Sequence, residues 1–406
     1  MKPRHALIAV LLVALGATAA SAADEEHAAR EQVGKPVQQA QQLLRQQKFA
    51  DALARLNAAE AVPDKSPYET YIIAETRAVA LIDSGDDAGA VKALEAVLAT
   101  RILPQAEAAK RRLSIVQLDY RLKDYPKTVA DAQRFYAEGG SDPEPRRLMA
   151  QSYYLENDFP HAARVIRQVL ADETHVGKPA DEALLLSLAS SEFKLKSQDG
   201  YIDALEQLVA SHPKHDYWVD LCRAVRQKPG FAPRLRLDLD RFEIAAGAMD
   251  TPEQYVEAAE RALERGFPGD AKTFLDKGYA AGVLGKGAAA ERQKRLADTA
   301  KRLSETDQPA LPAQAKDADA SANGIALEKL GEAYASYGKY DEAITALTGA
   351  LKKGGLPDPE DARLHIGVAY IGAGRKSDAE ATLTRASGAD GTKDLARLWL
   401  IQAGVR

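Results

Sequence analysis

Apolar and small residues recur along this chain at spacings of three and four, the period of one helix face. Gly324 to Ala350 shows the pattern most plainly. Leu327, Leu330, Gly331 and Tyr334 share a face, Gly338 interrupts, and Tyr340, Ala343, Ile344, Leu347 and Ala350 make a second face. Glycine takes the left-handed conformation that ends a helix at little cost, so the stretch reads as helix, turn, helix.

The same grammar recurs. A small residue on a first helix is followed twelve positions later by a small residue on a second, and four later by a large aliphatic. The sets are Ala40/Ala52/Leu56, Ala78/Ala90/Leu94, Ala150/Ala162/Ile166, Ala259/Ala271/Leu275, Gly331/Ala343/Leu347 and Gly367/Ala379/Leu383. Seven residues after the first small one comes the expected turn: Gln47, Gly85, Asn157, Gly266, Gly338 and Gly374. The spacing predicts that the small residues lie where two helices cross. The aliphatic is then expected to fill the groove against the neighbouring pair.

This unit resembles the tetratricopeptide repeat, two antiparallel helices in about 34 residues. The resemblance rests on Leu330, Gly331, Tyr334, Gly338, Tyr340, Ala343, Leu347 and Ala350, and again on Ile366, Gly367, Tyr370, Gly374, Ala379 and Leu383. Tyr153, Asn157, Phe159 and Ala162, following Ala150, match nearly as well. It implies an all-α fold: a right-handed α-solenoid of antiparallel helix pairs with degenerate central repeats and a C-terminal capping helix. It also implies a concave groove lined by the first helices, which accepts a peptide or a partner helix. In that register the groove-facing residues are Arg147, Gln151 and Tyr154, then Glu328, Glu332 and Ser336, then Leu364, Val368 and Ile371. Some members grip a terminal carboxylate with lysine and asparagine; Glu328 and Glu332 stand at those positions, so that clamp is absent here.

Spacing between units locates the degenerate regions. A weak unit centres on Thr128, and another is expected with Ala204 as its small residue on the second helix. The longer gaps hold pairs that have lost the signature, with helices expected at Leu235–Ala246 and Ala288–Leu303. Residues 305–323 contain Pro309, Pro312 and small polar residues, and read as a linker. The expected organisation is a leader at 1–22, an N-terminal solenoid at 23–304 (degenerate around 214–250 and 283–304), the linker at 305–323, and a C-terminal repeat pair with a capping helix at 324–406. Thr392 is the expected N-cap of that helix, with Leu395, Leu398 and Trp399 on its core face.

The leader rests on Lys2 and Arg4, the apolar run Ala6–Leu15, and Ala20-Ser21-Ala22. This predicts a secretory signal peptide cleaved after Ala22 or Ala23, and a periplasmic or secreted protein. The single cysteine, Cys222, lies far from the leader, so lipid attachment there is excluded, and no disulfide framework forms within the chain. Removing Lys2 and Arg4 from the 54 basic residues leaves 52 against 59 acidic ones, a formal charge of −7. That balance disfavours nucleic acid and anionic lipid as partners. After the leader no run is long and apolar enough for an integral membrane segment.

Motifs for catalysis are few. His212-Pro-Lys-His215 lacks the helical His-Glu-x-x-His spacing of a metal site. Ser191-Glu-Phe-Lys194 and Ser211-His-Pro-Lys214 stand without the companion strings of penicillin-binding enzymes. Gly282-Val-Leu-Gly-Lys-Gly287 lacks the first glycine and the hydroxyl residue of a phosphate loop. The expectation is a scaffold without catalytic residues, cofactor or metal, whose partners are proteins or peptides. The alternatives are a self-associating structural subunit, or a ligand-binding or enzymatic site in the 214–250 insert around Trp218, Cys222, Arg234, Arg236 and Asp238.

Overall fold

The computed structural model describes residues 28–404. The expected leader and its cleavage point lie outside the described residues. Among the described residues there are twenty α-helices and no strand. They form two compact units, one up to Val165 and one from Ile166 onward.

The first unit contains α1 (Glu31–Arg45), α2 (Phe49–Glu60), α3 (Pro67–Ser84), α4 (Asp87–Ala99), α5 (Gln105–Arg121), α6 (Tyr125–Ala137) and α7 (Glu144–Leu155). The chain crosses the unit boundary within α8 (Phe159–His175). Each helix packs on the next in sequence, and α1 also meets α3, as α5 meets α7. Local chemistry sets the starts. Ser66 accepts from the Glu69 amide while the Glu69 carboxylate accepts from the Ser66 amide, so two orphan donors of α3 are satisfied reciprocally. The apolar faces meet inside: Val33, Val37, Ala40, Ala52, Leu56, Ala59 and Ile73 are buried together.

The six expected turn residues all have positive φ: Gln47 59°, Gly85 86°, Asn157 59°, Gly266 83°, Gly338 70° and Gly374 74°. The weak unit has its turn at Lys123 (φ 60°), seven after Val116, in the same register. The unit around Ala204 is corrected by three. Its turn is Lys196 (φ 55°), which makes Ala189 its first small residue and puts Tyr201 where Ala204 was expected.

The twelve-then-four spacing has a steric cause at Gly331. A Cβ there would lie 2.5 Å from Leu347 Cγ, and one on Gly367 would lie 2.4 Å from two Leu383 carbons. The large aliphatic therefore sits on the small residue of its own pair, rather than serving only the neighbouring pair as expected.

The second unit contains α9 (Glu182–Lys194), α10 (Gln198–Ser211), α11 (His215–Arg226), α12 (Arg236–Ala246), α13 (Pro252–Glu264), α14 (Pro268–Ala280), α15 (Ala290–Ala320), α16 (Ile325–Ser336), α17 (Tyr340–Lys353), α18 (Pro359–Gly372), α19 (Lys376–Leu383) and α20 (Thr392–Gln402). Neighbours in sequence pack on one another throughout. The capping helix α20 does more than cover the last repeat: it packs on α10 and α12 as well as on α18 and α19, so the unit closes on itself. The Ala232 amide donates to the Asp390 carbonyl at 2.7 Å. Lys228 bridges to Asp394 at 3.0 Å, and Arg234 to Asp361 at 2.7 Å. Arg397 pairs with Asp203 and with buried Glu206. Trp399 meets Phe242 edge-on, 5.2 Å between centroids, and Phe242 packs on Trp218. Gly391 permits this closure: its φ is +109°, and a Cβ would lie 2.4 Å from the Phe231 ring.

Residues 305–320 are helical, contrary to the expected linker, because α15 runs on to Ala320 with Pro309 and Pro312 inside it. Each proline removes one amide donor, but Ala300, Ser304, Leu311 and Ala318 are all buried on one face, and that packing holds the helix. The insert of 214–250 supplies α11 and α12. There Cys222 is buried, Arg234 ties to Asp361, and Arg236 is exposed.

Gly331→Val is expected to destabilise the second unit by about 2 kcal/mol through overpacking. Gly349, in the interior of α17, would place a Cβ 3.4 Å from Leu327, an ordinary contact. Gly349→Ala is therefore expected to stabilise by roughly 0.5 kcal/mol. Urea unfolding followed by far-ultraviolet circular dichroism checks the opposite signs.

Candidate functional site

The second unit closes around a cleft of about 590 Å³. α12, α14, α15, α16, α18 and α20 all contribute to its lining. Its floor is built on Arg241 of α12, whose side chain is 17% exposed. The guanidinium donates from Nη1 to Asp238 Oδ1 and to Glu332 Oε2, each at 2.8 Å. Nε and Nη2 donate to Asp270 Oδ2 at 2.9 and 2.8 Å. Across the cleft His365 Nε2 lies 2.9 Å from Asp238 Oδ1 and 3.9 Å from Glu332. Four helices are thus joined through one cation and one imidazole.

The electrostatics follow from burial and neighbours. Burial opposes a charge on His365, but the carboxylates of Glu332 and Asp238 outweigh it and push the imidazole up to about 9. Burial also works against ionised Asp238, yet His365 and Arg241 hold it well below the usual carboxylate range. Asp270 goes the other way: its burial outweighs the pull of Arg241, and its value is raised. Glu328, one turn before Glu332, is pushed up to about 7 by burial against the opposing pull of His365.

Asp238, Glu332 and His365 bring one ligand atom each within 4.8 Å of the others, a spacing that suits a metal ion. The donor set does not fit one. Arg241 already occupies the cation position between Asp238 and Glu332. A protonated His365 has no lone pair to offer at neutral pH.

Four expected groove residues, Glu332, Ser336, Leu364 and Val368, line this cleft together. Leu364 is fully buried, so it serves as wall rather than as an open strip. Glu328 is half-buried one turn away on α16. Arg147, Gln151 and Tyr154 lie on α7 in the first unit; Gln151 is exposed, and Tyr154 packs edge-on against Phe159.

The first unit has a cleft of its own, about 390 Å³, which the sequence reading did not name. Val37, Gln41, Glu75, Val79 and Asp83 line it, with Tyr68, Tyr71 and Arg111. Arg111 bridges Glu75 at 2.5 Å and Glu107 at 3.0 Å. The signal was present. Val37 and Gln41 stand three before and one after Ala40, and Glu75 and Val79 stand likewise around Ala78. Glu328 and Glu332 hold the same places around Gly331.

Three stretches, 37–107, 182–215 and 326–403, match tetratricopeptide repeat models. Together with the paired helices they support a tetratricopeptide-repeat family for this chain. No curated protein matches the sequence. Among solved structures, yeast Tom70 is 11% identical, with 91% of this chain and 95% of that chain covered and a TM-score of 0.25. The TPR2AB-domain:pHSP90 complex of yeast Sti1 is 13% identical, covering 73% and 99%, with a TM-score of 0.24. Naa15/Naa10 bound to HypK-THB is 16% identical with a TM-score of 0.32; it matches 92% of this chain, which spans 59% of that one. Likeness at this level is too slight to carry residues or partners across.

His365 binds its proton more tightly in the fold than in the unfolded chain, so it stabilises most below about pH 6.5 and loses that contribution by about pH 9. The second unit is expected to lose on the order of 3 kcal/mol across that window. His365→Asn should flatten the loss. Thermal melts at half-unit pH steps read both.

Proposed function

We propose that this protein is a non-enzymatic scaffold that binds a peptide or helix of a protein partner in clefts lined by the first helices of its repeats. One observation carries the reading. Residues at equivalent places in successive repeats, Val37 and Gln41 with Glu75 and Val79, and Glu332 with Leu364 and Val368, converge on a cleft within each unit. Stacking places equivalent register positions along one concave side, the surface that solenoid proteins use to bind. Tetratricopeptide repeats are in general interaction modules, which fits this use.

The proposed location is the periplasm or the exterior of a bacterial cell. It rests on the basic start, the apolar run and Ala20-Ser21-Ala22. No helix among the described residues is long and apolar enough to cross a membrane.

A photo-crosslinking residue placed at Val79 or Val368 is expected to trap a partner from envelope extracts. The same residue at exposed Lys92 of α4 or Thr348 of α17, on second helices, should not. Trapping from the second-helix positions alone would overturn the groove reading. N-terminal sequencing of the exported protein should begin at Ala23 or Asp24; a retained Met1 would refute export by cleavage.

A further inference from the structure

Exposed apolar side chains gather in one stretch of the second unit. Among the described residues eight large apolar side chains are exposed, and four of them, Val176, Leu186, Phe193 and Leu195, fall between positions 176 and 195. α9 carries the centre of this patch. Ala183, Leu186, Ser190 and Phe193 follow one another at spacings of three and four, so they share one face of the helix. From Ala183 to Phe193 that face runs about 15 Å, nearly three turns. Leu186 is 43% and Phe193 64% exposed. Phe193 is nonetheless propped in place, with its ring against Tyr201 of α10 at 5.5 Å between centroids.

This is a second apolar face on the same helix. Leu184, Leu185 and Leu188 already seat α9 in the core. A helix that is apolar on more than one side is ordinarily covered on more than one side. A clustered apolar patch rimmed by polar residues marks an interaction surface, whereas the same residues scattered singly would not.

The charges around the face are sorted by sign. Three acids and three lysines lie between positions 176 and 197. The acids are all held within the chain. Asp181 accepts from the Leu184 amide at 3.1 Å, Glu182 pairs with Lys214 and Tyr217, and Glu192 pairs with Arg167. Lys178, Lys194 and Lys196 are exposed and have no partner among the described residues. Lys178 precedes α9 while Lys194 and Lys196 stand at its end, so uncommitted positive charge flanks the apolar face at both ends.

We infer that this face of α9 docks an amphipathic helix of a protein partner, apolar where it meets Leu186 and Phe193 and acidic at its flanks. The inference goes beyond the two clefts, since none of these residues lines either of them. It rests on the scaffold reading only in taking a protein as the partner. A second copy of this face would set lysine against lysine, and like charges brought together are unfavourable. Anionic membranes are recognised by clusters of about four to eight basic residues, and this face has three on a chain of negative net charge.

Fluorescence polarisation with the full chain tests it. The probe is a fluorescein-labelled Glu-Glu-Leu-Ala-Asp-Leu-Leu-Ala-Glu-Leu-Glu-Glu peptide, compared with a version in which every acid is replaced by lysine. The acidic peptide is expected to bind at least tenfold tighter than the basic one. Phe193→Ser should weaken it at least tenfold, and the pair Lys194→Glu with Lys196→Glu at least fivefold. All three side chains are exposed, so the helical melt of each variant should match that of the parent. Equal binding of the two peptides, undiminished binding by either variant, or no binding of the acidic peptide would overturn the inference. Two further measurements give the other occupants their chance: sedimentation velocity for a dimer, and co-sedimentation with vesicles of one part phosphatidylglycerol to three of phosphatidylcholine. A dimer or a vesicle complex that Phe193→Ser abolishes would assign the face elsewhere and overturn the inference too. Crosslinking from Val79 and Val368 reads the clefts separately, so either proposal can fail alone.

Discussion

The second unit depends on the desolvated guanidinium of Arg241. A buried cation without partners is strongly unfavourable, and here three carboxylates from α12, α14 and α16 answer it. The carboxylates in turn charge His365, so α18 is held by the same electrostatics. Breaking a buried pair of this kind costs about 3–5 kcal/mol, because the partner is left charged and unpaired.

Close packing governs the rest. Ala40, Ala150, Ala259 and Gly331 lie where first and second helices approach, and each is buried or leaves no room for a larger group. This constraint is written locally, within about sixteen residues, and so the repeat, its turns and its register were legible in the sequence. The positive φ at Gln47 and Asn157 could be placed from spacing alone, although neither is glycine. The same register pointed to Glu332, Ser336, Leu364 and Val368, and would have found Val79 and Gln41 had it been carried to the earlier repeats.

What the sequence hid was long-range. Lys228 with Asp394, and Arg397 with Glu206, are pairs of ordinary charged residues more than 160 positions apart, and no periodicity marks them. Nothing in the local sequence sets Arg241 apart from other helical charges; its role exists only when α14 and α16 arrive. Proline misled for a related reason. Pro309 and Pro312 suggest a break where only local bonding is considered, but Leu311 and Ala318 are held in a core that draws on α12 to α14 as well as α16 to α18.

The closure by α20 has a consequence for how this chain can vary. An open stack of helix pairs has free ends, and a pair can be gained or lost there without disturbing the others. In the second unit the C-terminal end of the stack is not free, since α20 lies back against α10 and α12. Adding one pair would carry α20 past its seat, and deleting one would leave it short. The unit therefore counts its own repeats, and its length is a property of the whole circuit rather than of any single helix pair.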